Sequence, residues 1–308
     1  MAQPISRRTL LGGTLGVAGL AGVSALAACT TEGPAPAAQR VPVPTVAPSP
    51  RDAVATVEWV RSAARGRSVR LVVVAPPGVD RGALPVCLGL HGLGGNATWW
   101  ADAGTRRTLG AGWAEGVAPF VLAAVDGGDN YWHPVRAGDD PRRMLLDELP
   151  GWLALRGVGR AAPDGAGVPS LVAGVSMGGA GALMYARERA HRAAPVSAAV
   201  ALSPGLFTEW RVASRRPFAN EADWAANDPL RFYGELATTP TGVWVGDRDP
   251  FVAASRRYID LAHPVVGSVS AGRHDGAFYS RVLPQAVRFL GDHVRPNPLT
   301  LPTPPRLG

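Results

Sequence analysis

The chain of 308 residues contains no lysine, so all 31 of its basic residues are arginine. A guanidinium stays protonated near neutral pH, which excludes a Schiff-base or general-base lysine. Cysteine is almost as scarce. Cys29 and Cys87 are the only two, and no disulfide framework can be built from them if one is modified. Cys87 sits in the apolar run Pro85 to Leu90 and reads as a buried strand thiol. Long basic runs are also missing. The formal net charge is +7, but the arginines are scattered, with short pairs such as Arg106-Arg107, Arg142-Arg143 and Arg256-Arg257. Without a basic stripe interleaved with aromatics, nucleic acid is not expected as a partner. The charge suits an anionic lipid surface or a cell-wall polymer.

What the chain does have begins with an address. Ser6-Arg7-Arg8-Thr9-Leu10-Leu11 is a twin-arginine pattern, followed by a Gly- and Ala-rich apolar stretch from Leu10 to Ala28. That stretch ends in Leu26-Ala27-Ala28-Cys29, which resembles a bacterial lipobox. A spanning helix is the alternative reading, but so much glycine suits an export signal better. The expectation is therefore export, cleavage before Cys29, lipidation of that thiol and a place on the extracytoplasmic face of a membrane. Free secretion after cleavage at nearby small residues is the second possibility. Residues 29–52 are rich in Pro and Ala, including Pro34, Pro36, Pro42, Pro44, Pro48 and Pro50. Such a linker favours polyproline II and, at ~3.1 Å per residue, could reach ~50 Å. A second Pro-rich tail covers residues 295–308.

Residues 53–294 are expected to form one catalytic domain, since 46% hydrophobic residues can bury a large core. Short apolar runs at Val69–Val74, Val86–Leu90, Phe120–Val125, Leu171–Val175, Ala198–Leu202, Val243–Val245 and Val265–Val269 read as strands. Helices are expected at Pro141–Leu155, where Asp140 caps and Pro141 opens the first turn, and at Met177–Arg192, Phe251–Leu261 and Ala277–Val294. Alternation of strand and helix predicts an α/β fold, a mostly parallel central sheet with helices on both faces. Ligands in such sheets bind beyond the carboxyl ends of the strands. Residues 205–239 lack strand character, carry several aromatics and read as a helical insertion near the site.

The residues that carry chemistry fall at these strand ends. Gly174-Val175-Ser176-Met177-Gly178-Gly179 contains the pattern G-x-S-x-G. The pentapeptide alone is weak evidence in a chain with 38 glycines and 14 serines. Its setting, directly after a predicted strand and at the start of a predicted helix, is that of a nucleophile elbow. Ser176 needs a general base, because a hydroxyl at its free pKa attacks poorly. His274, in Ala271-Gly272-Arg273-His274-Asp275-Gly276, follows the last predicted strand. His191, His263 and His293 read as surface residues, and His133 lies on a loop. The base needs an acid that fixes its tautomer. Chain order leaves Asp249 and Asp247, both in Gly246-Asp247-Arg248-Asp249-Pro250-Phe251, with Asp249 preferred. Asp275, adjacent to His274, is expected to diverge from it. An oxyanion hole requires backbone N–H donors. Met177 follows the nucleophile, and His91-Gly92-Leu93-Gly94-Gly95 follows the strand Val86–Leu90, which nominates Leu93 as the second donor. His91 and Gly92 are expected at the substrate, with Trp99, Trp100, Tyr131 and Trp132 on neighbouring loops. No second histidine or carboxylate stands at ligand spacing from His91, so no metal is expected.

These segments, together with Asp126-Gly127-Gly128 and Tyr131-Trp132, resemble the esterase D or "putative esterase" branch of the α/β-hydrolases. That branch includes S-formylglutathione hydrolases, feruloyl esterases and the mycolyltransferase antigens of mycobacteria. The resemblance runs from about Val69 to Val294. It implies an α/β-hydrolase fold and a triad of Ser176, Asp249 and His274. It also implies oxyanion amides of Leu93 and Met177, and no cofactor. The chain departs from the mycolyltransferases at the acid, which is Glu there, and at the oxyanion loop, which begins with Asp there and with His91 here. An exported serine esterase acting on a small-molecule, lipid or sugar ester is expected. Acyl transfer to an alcohol or sugar, peptide cleavage and a non-catalytic binding role on the same fold are its rivals. A monomer is the default.

Overall fold

The computed structural model describes residues 52–162 and 164–295. The expected export signal, Cys29, the expected linker up to residue 51 and the tail beyond 295 lie outside the described residues. Among the described residues no helix is long and apolar enough to cross a membrane.

The described chain folds around one eight-stranded sheet. Its strands are β1 (Val54–Ser62), β2 (Arg67–Ala75), β3 (Val86–Leu90), β4 (Val121–Val125), β5 (Leu171–Val175), β6 (Ala198–Leu202), β7 (Thr241–Gly246) and β8 (Val266–Ser270). The order across the sheet is β1-β2-β4-β3-β5-β6-β7-β8. β2 runs antiparallel to both β1 and β4, and all pairs from β4 onward are parallel. In the parallel part Leu90 pairs with Gly174, Val175 with Leu202 and Gly246 with Ser270. The carboxyl ends of β3, β5, β6, β7 and β8 therefore form one rim, and every catalytic expectation falls on it. This is an α/β-hydrolase fold.

β3 to β6 read as unbroken apolar runs because each is covered on both faces. Successive side chains alternate sides. Val86, Leu88 and Leu90 enter one core layer and Cys87 the other. The first layer is closed by the helical stretch Pro141–Arg143, Met144–Glu148 and Leu149–Leu155, whose middle segment is a π turn, and by the helix that follows β5. That helix is α2 (Met177–His191); the second layer is closed by α1 (Ala103–Ala114) and the last helix of the domain. That helix, α4 (Gly276–Asp292), packs Phe278, Val282, Leu283, Ala286 and Leu290 under the sheet, while α3 (Val252–Ala262) belongs with α2 on the first face. Each buried side chain of this size contributes about 1.5–3 kcal/mol of transfer free energy. Burial also raises the Cys87 thiol pKa far above its ordinary value, so it is an inert core group.

β1 was not expected from the sequence. It is an edge strand, and Val54, Val57 and Trp59 are exposed on it. Its apolar residues follow no clean period of two. The segment between β6 and β7 is built of short helices, Trp210–Ala213, Glu221–Ala226 and Pro229–Phe232, with a 3-10 turn at Tyr233–Leu236. Asn220 caps the second of these through the Asp223 amide at 2.9 Å, and Trp210 stacks on Trp224.

Candidate active site

The chain passes from β5 into α2 through Ser176, whose φ of 56° and ψ of −118° are strained for a residue with a side chain. Two glycines make the turn possible. A Cβ at Gly174 would overlap the carbonyl of Gly178, and one at Gly178 would overlap the carbonyl of Leu90. The Ser176 backbone is held on all sides. Its N–H donates to Leu202 O at 2.8 Å, and its carbonyl accepts from Gly179, Ala180 and Gly205. The strain is thus paid by the surrounding structure, and the hydroxyl stands clear of the sheet.

His274 arrives on the loop after β8. Its Nε2 lies 2.8 Å from Ser176 Oγ and its Nδ1 2.7 Å from Asp249 Oδ2. With Asp249 ionised, Nδ1–H donates to the carboxylate and Nε2 accepts the serine hydroxyl. The imidazole is held edge to face by Phe251 at 5.1 Å and by Tyr279 at 5.7 Å. Asp249 follows β7 and is buried. Burial alone would raise its carboxyl, but hydrogen bonds from His274 and the Phe251 N–H hold it below the ordinary carboxylate value. The Ser203 hydroxyl, fully buried at the end of β6, lies close to Asp249 and Tyr279 without a well-aligned bond to either, and favours the ionised acid.

The two aspartates of the acid loop are separated by position. Asp247 is exposed and accepts from the Gly272 N–H at 2.9 Å, so it braces the histidine loop from outside. Asp275 caps α4 through the Phe278 amide at 2.9 Å and does not meet the imidazole.

The loop after β3 is anchored by His91. Its Nδ1–H donates to Gly92 O at 2.8 Å, and its Nε2 accepts from the Gly127 N–H at 2.9 Å. Burial keeps it neutral, with its pKa below the ordinary value, against the opposing pull of the Gly92 carbonyl. A Cβ on Gly92 would stand 3.3 Å from the Ser176 Cβ, so the loop backbone crosses directly beside the nucleophile. Asp129 Oδ1 accepts from the Gly94 N–H at 2.6 Å and fixes the far side of that loop.

A cavity of about 510 Å³ opens over Ser176. Leu93, Tyr131, Ser176 and His274 line it, with Leu206, Phe207, Val212, Arg216 and Phe251. Of the aromatics expected at the substrate, Tyr131 is in this wall. Trp132 is instead core: its ring fills the space beside Gly127 and Gly181, and its Nε1–H reaches His91 O at 3.3 Å. Trp100 is buried under the other face of the sheet against Gly89, and Trp99 packs edge to face on it and on Tyr279. His91 likewise faces Gly127 and Trp132 rather than the cavity. Phe207, Val212 and Arg216 of the insertion, and Ser203 behind Asp249, had no distinguishing mark in the sequence. The strand-end segment Ser203-Pro204-Gly205 was the one available signal. Among the described residues no group of histidines, cysteines and carboxylates is arranged to hold a metal ion.

Residues 62–262 match the family model described as "Putative esterase". No curated protein matches the chain in sequence. Solved structures with the same fold include a ferulic acid esterase, at 17% identity and a TM-score of 0.66 over 79% of this chain and 99% of that one. An S-formylglutathione hydrolase from Agrobacterium tumefaciens is similar at 16% identity and a TM-score of 0.63, over 79% and 96%. Fluorophosphonate-binding serine hydrolase F of Staphylococcus aureus is similar at 17% identity and a TM-score of 0.61, over 78% and 99%. Identities this low speak to the fold, whereas the family match spans the chain from Ser62 through Ala262. The chain belongs to the Putative esterase family and is a carboxylic ester hydrolase.

Proposed function

We propose that the protein cleaves carboxylic esters through an acyl-enzyme formed on Ser176. The observation that carries this reading is the unbroken hydrogen-bonded row Ser176–His274–Asp249, contributed by three strand ends of one rim. His274 takes the hydroxyl proton as Ser176 Oγ attacks the ester carbonyl, and Asp249 stabilises the imidazolium that forms. The imidazolium then gives that proton to the leaving alcohol. In the second half, His274 deprotonates a water that attacks the acyl carbonyl, and Ser176 leaves with the proton returned. The amides of Leu93 and Met177 serve as the oxyanion donors. Supporting this, Met177 N–H is the first amide of α2, where the helix has no internal acceptor for it, and Leu93 stands in the wall of the cavity over Ser176.

Labelling with a fluorophosphonate probe tests the nucleophile. Wild type should be labelled and Ser176→Ala should not; equal labelling would refute the assignment. Export and lipidation at Cys29 rest on the sequence alone. In a bacterial host with lipoprotein processing, wild type should fractionate with membranes and Cys29→Ala should be released. Retention of Cys29→Ala would argue for another anchor.

A further inference from the structure

The wall of the catalytic cavity carries one cation. Arg216, partly buried at the end of the helix Trp210–Ala213, lines the same cavity as Ser176 and His274. Its guanidinium carbon stands 5.9 Å from the centre of the Phe207 ring, which holds the group against the insertion. Among the described residues no carboxylate pairs with it, and no aspartate or glutamate lines the cavity. Arg211, Arg231 and Arg187 of the same part of the fold pair with Glu209, Asp228 and Glu235. Asp249, the carboxylate nearest the reacting atoms, is buried and bound to His274.

Tyr131 lines the same cavity and packs on the same Phe207 ring. Burial pushes its pKa up to about 12, against the opposing field of Arg216, so it stays protonated and can donate. The cavity thus offers a fixed positive charge and an O–H donor, with aliphatic and aromatic surface from Leu206, Phe207 and Val212 between. A partly buried cation with no carboxylate partner is available to a ligand's anion. A planar guanidinium supplies paired donors to a carboxylate or phosphate.

We infer that the substrate is an ester that also carries an ionised acid group, a carboxylate or a phosphate, and that Arg216 binds that group while Ser176 attacks the ester. The inference rests on the catalytic reading above and adds the substrate's charge to it. Arg216 is a specificity residue: it touches the part of the substrate that does not react.

Two matched pairs of esters test this. p-Nitrophenyl hexanoate and mono-p-nitrophenyl glutarate differ in a charge on the acyl side. Phenyl butyrate and 4-carboxyphenyl butyrate differ in a charge on the alcohol side. Arg216→Gln should lower the anionic-to-neutral ratio of kcat/KM about tenfold or more on one pair, chiefly through the KM of the anionic ester. Arg216→Lys should restore part of the ratio, and added salt should erode it in wild type. The pair that responds identifies the side of the ester that carries the charge. Unchanged ratios on both pairs, with Ser176-dependent turnover intact, would overturn the inference. If no ester were turned over, the catalytic reading would fail instead. Calorimetric binding of mono-p-nitrophenyl glutarate and of 4-carboxyphenyl butyrate to Ser176→Ala, with and without Arg216→Gln, would still decide the role of Arg216. A loss of affinity for either supports it, and equal affinity for both removes it.

Discussion

The floor and the roof of the catalytic cavity are built on different principles. The floor is backbone. Ser176 is held at an unfavourable φ by four hydrogen bonds to its peptide groups, and Gly174 and Gly178 are packed so closely that a single methyl would collide. The roof is side chain. Residues 203–240 form loops and short helices, with Phe207 on the loop after β6, Val212 on the helix Trp210–Ala213 and Arg216 in the turn beyond it, all lining the cavity. A floor held by backbone contacts tolerates little change, because its neighbours are peptide groups that cannot move aside. A roof of side chains on short helices can change its surface while the fold is kept. The proposed reaction and the proposed selectivity thus fall on separate parts of the chain.

The largest effect should come from the floor. Ser176→Ala should lower kcat for a p-nitrophenyl ester by about 10⁴-fold or more while the thermal unfolding curve keeps its cooperative shape. Next, the two aspartates can be set against each other. Asp249→Asn should cost about 10³–10⁴ in kcat, since an amide in that place favours the wrong imidazole tautomer. Asp247→Asn, which perturbs only the brace on Gly272, should cost less than about tenfold. A reversal of these two would move the acid to Asp247. In the roof, Phe207→Ala should shift preference among acyl chain lengths by about 10- to 100-fold in kcat/KM with kcat changed only a few-fold, measured on a series of p-nitrophenyl esters. A kcat loss as large as that of Asp249→Asn would erase the distinction between floor and roof.

The smallest effect is on stability and depends on pH. His91 in the floor and His133 beside the roof are both kept neutral by burial, with pKa values below the ordinary 6.5. In the unfolded chain both take up protons near that pH, whereas in the folded chain they do so only at lower pH. The stability they provide is complete above about pH 6.5 and falls as pH drops from there through the folded pKa values. His133 also faces Asp223 and stacks on Phe218. Asp223 and the more distant Arg142 act on it in opposite directions. Urea midpoints at pH 7.5 and 5.0 should therefore differ, and His91→Gln should reduce the difference.

The parallel strands and the helix after Ser176 were legible because each carries a strong local signal. β3, β5 and β6 are unbroken apolar runs between glycine-rich turns, and their predicted limits coincide with those observed. β1 was not legible, since an edge strand buries little and imposes no period on its residues. α1 was missed as well, since its small and polar residues form no pronounced apolar stripe. The aromatic loop residues were the least decipherable. Trp99, Trp100, Tyr131 and Trp132 look alike in sequence, yet Tyr131 alone of them joins the cavity wall.

By itself the sequence determined the order of the chemistry along the chain. A strand, a glycine-bounded serine, a helix, an acid loop and a histidine loop must follow one another, because a sharp turn needs glycine and a parallel sheet needs covered apolar strands. Only the tertiary structure decided which of two aspartates meets His274, which aromatic rings line the cavity, and which arginine enters it. Those outcomes depend on the distances between side chains brought in by separate strands. Local propensity carries no information about such distances.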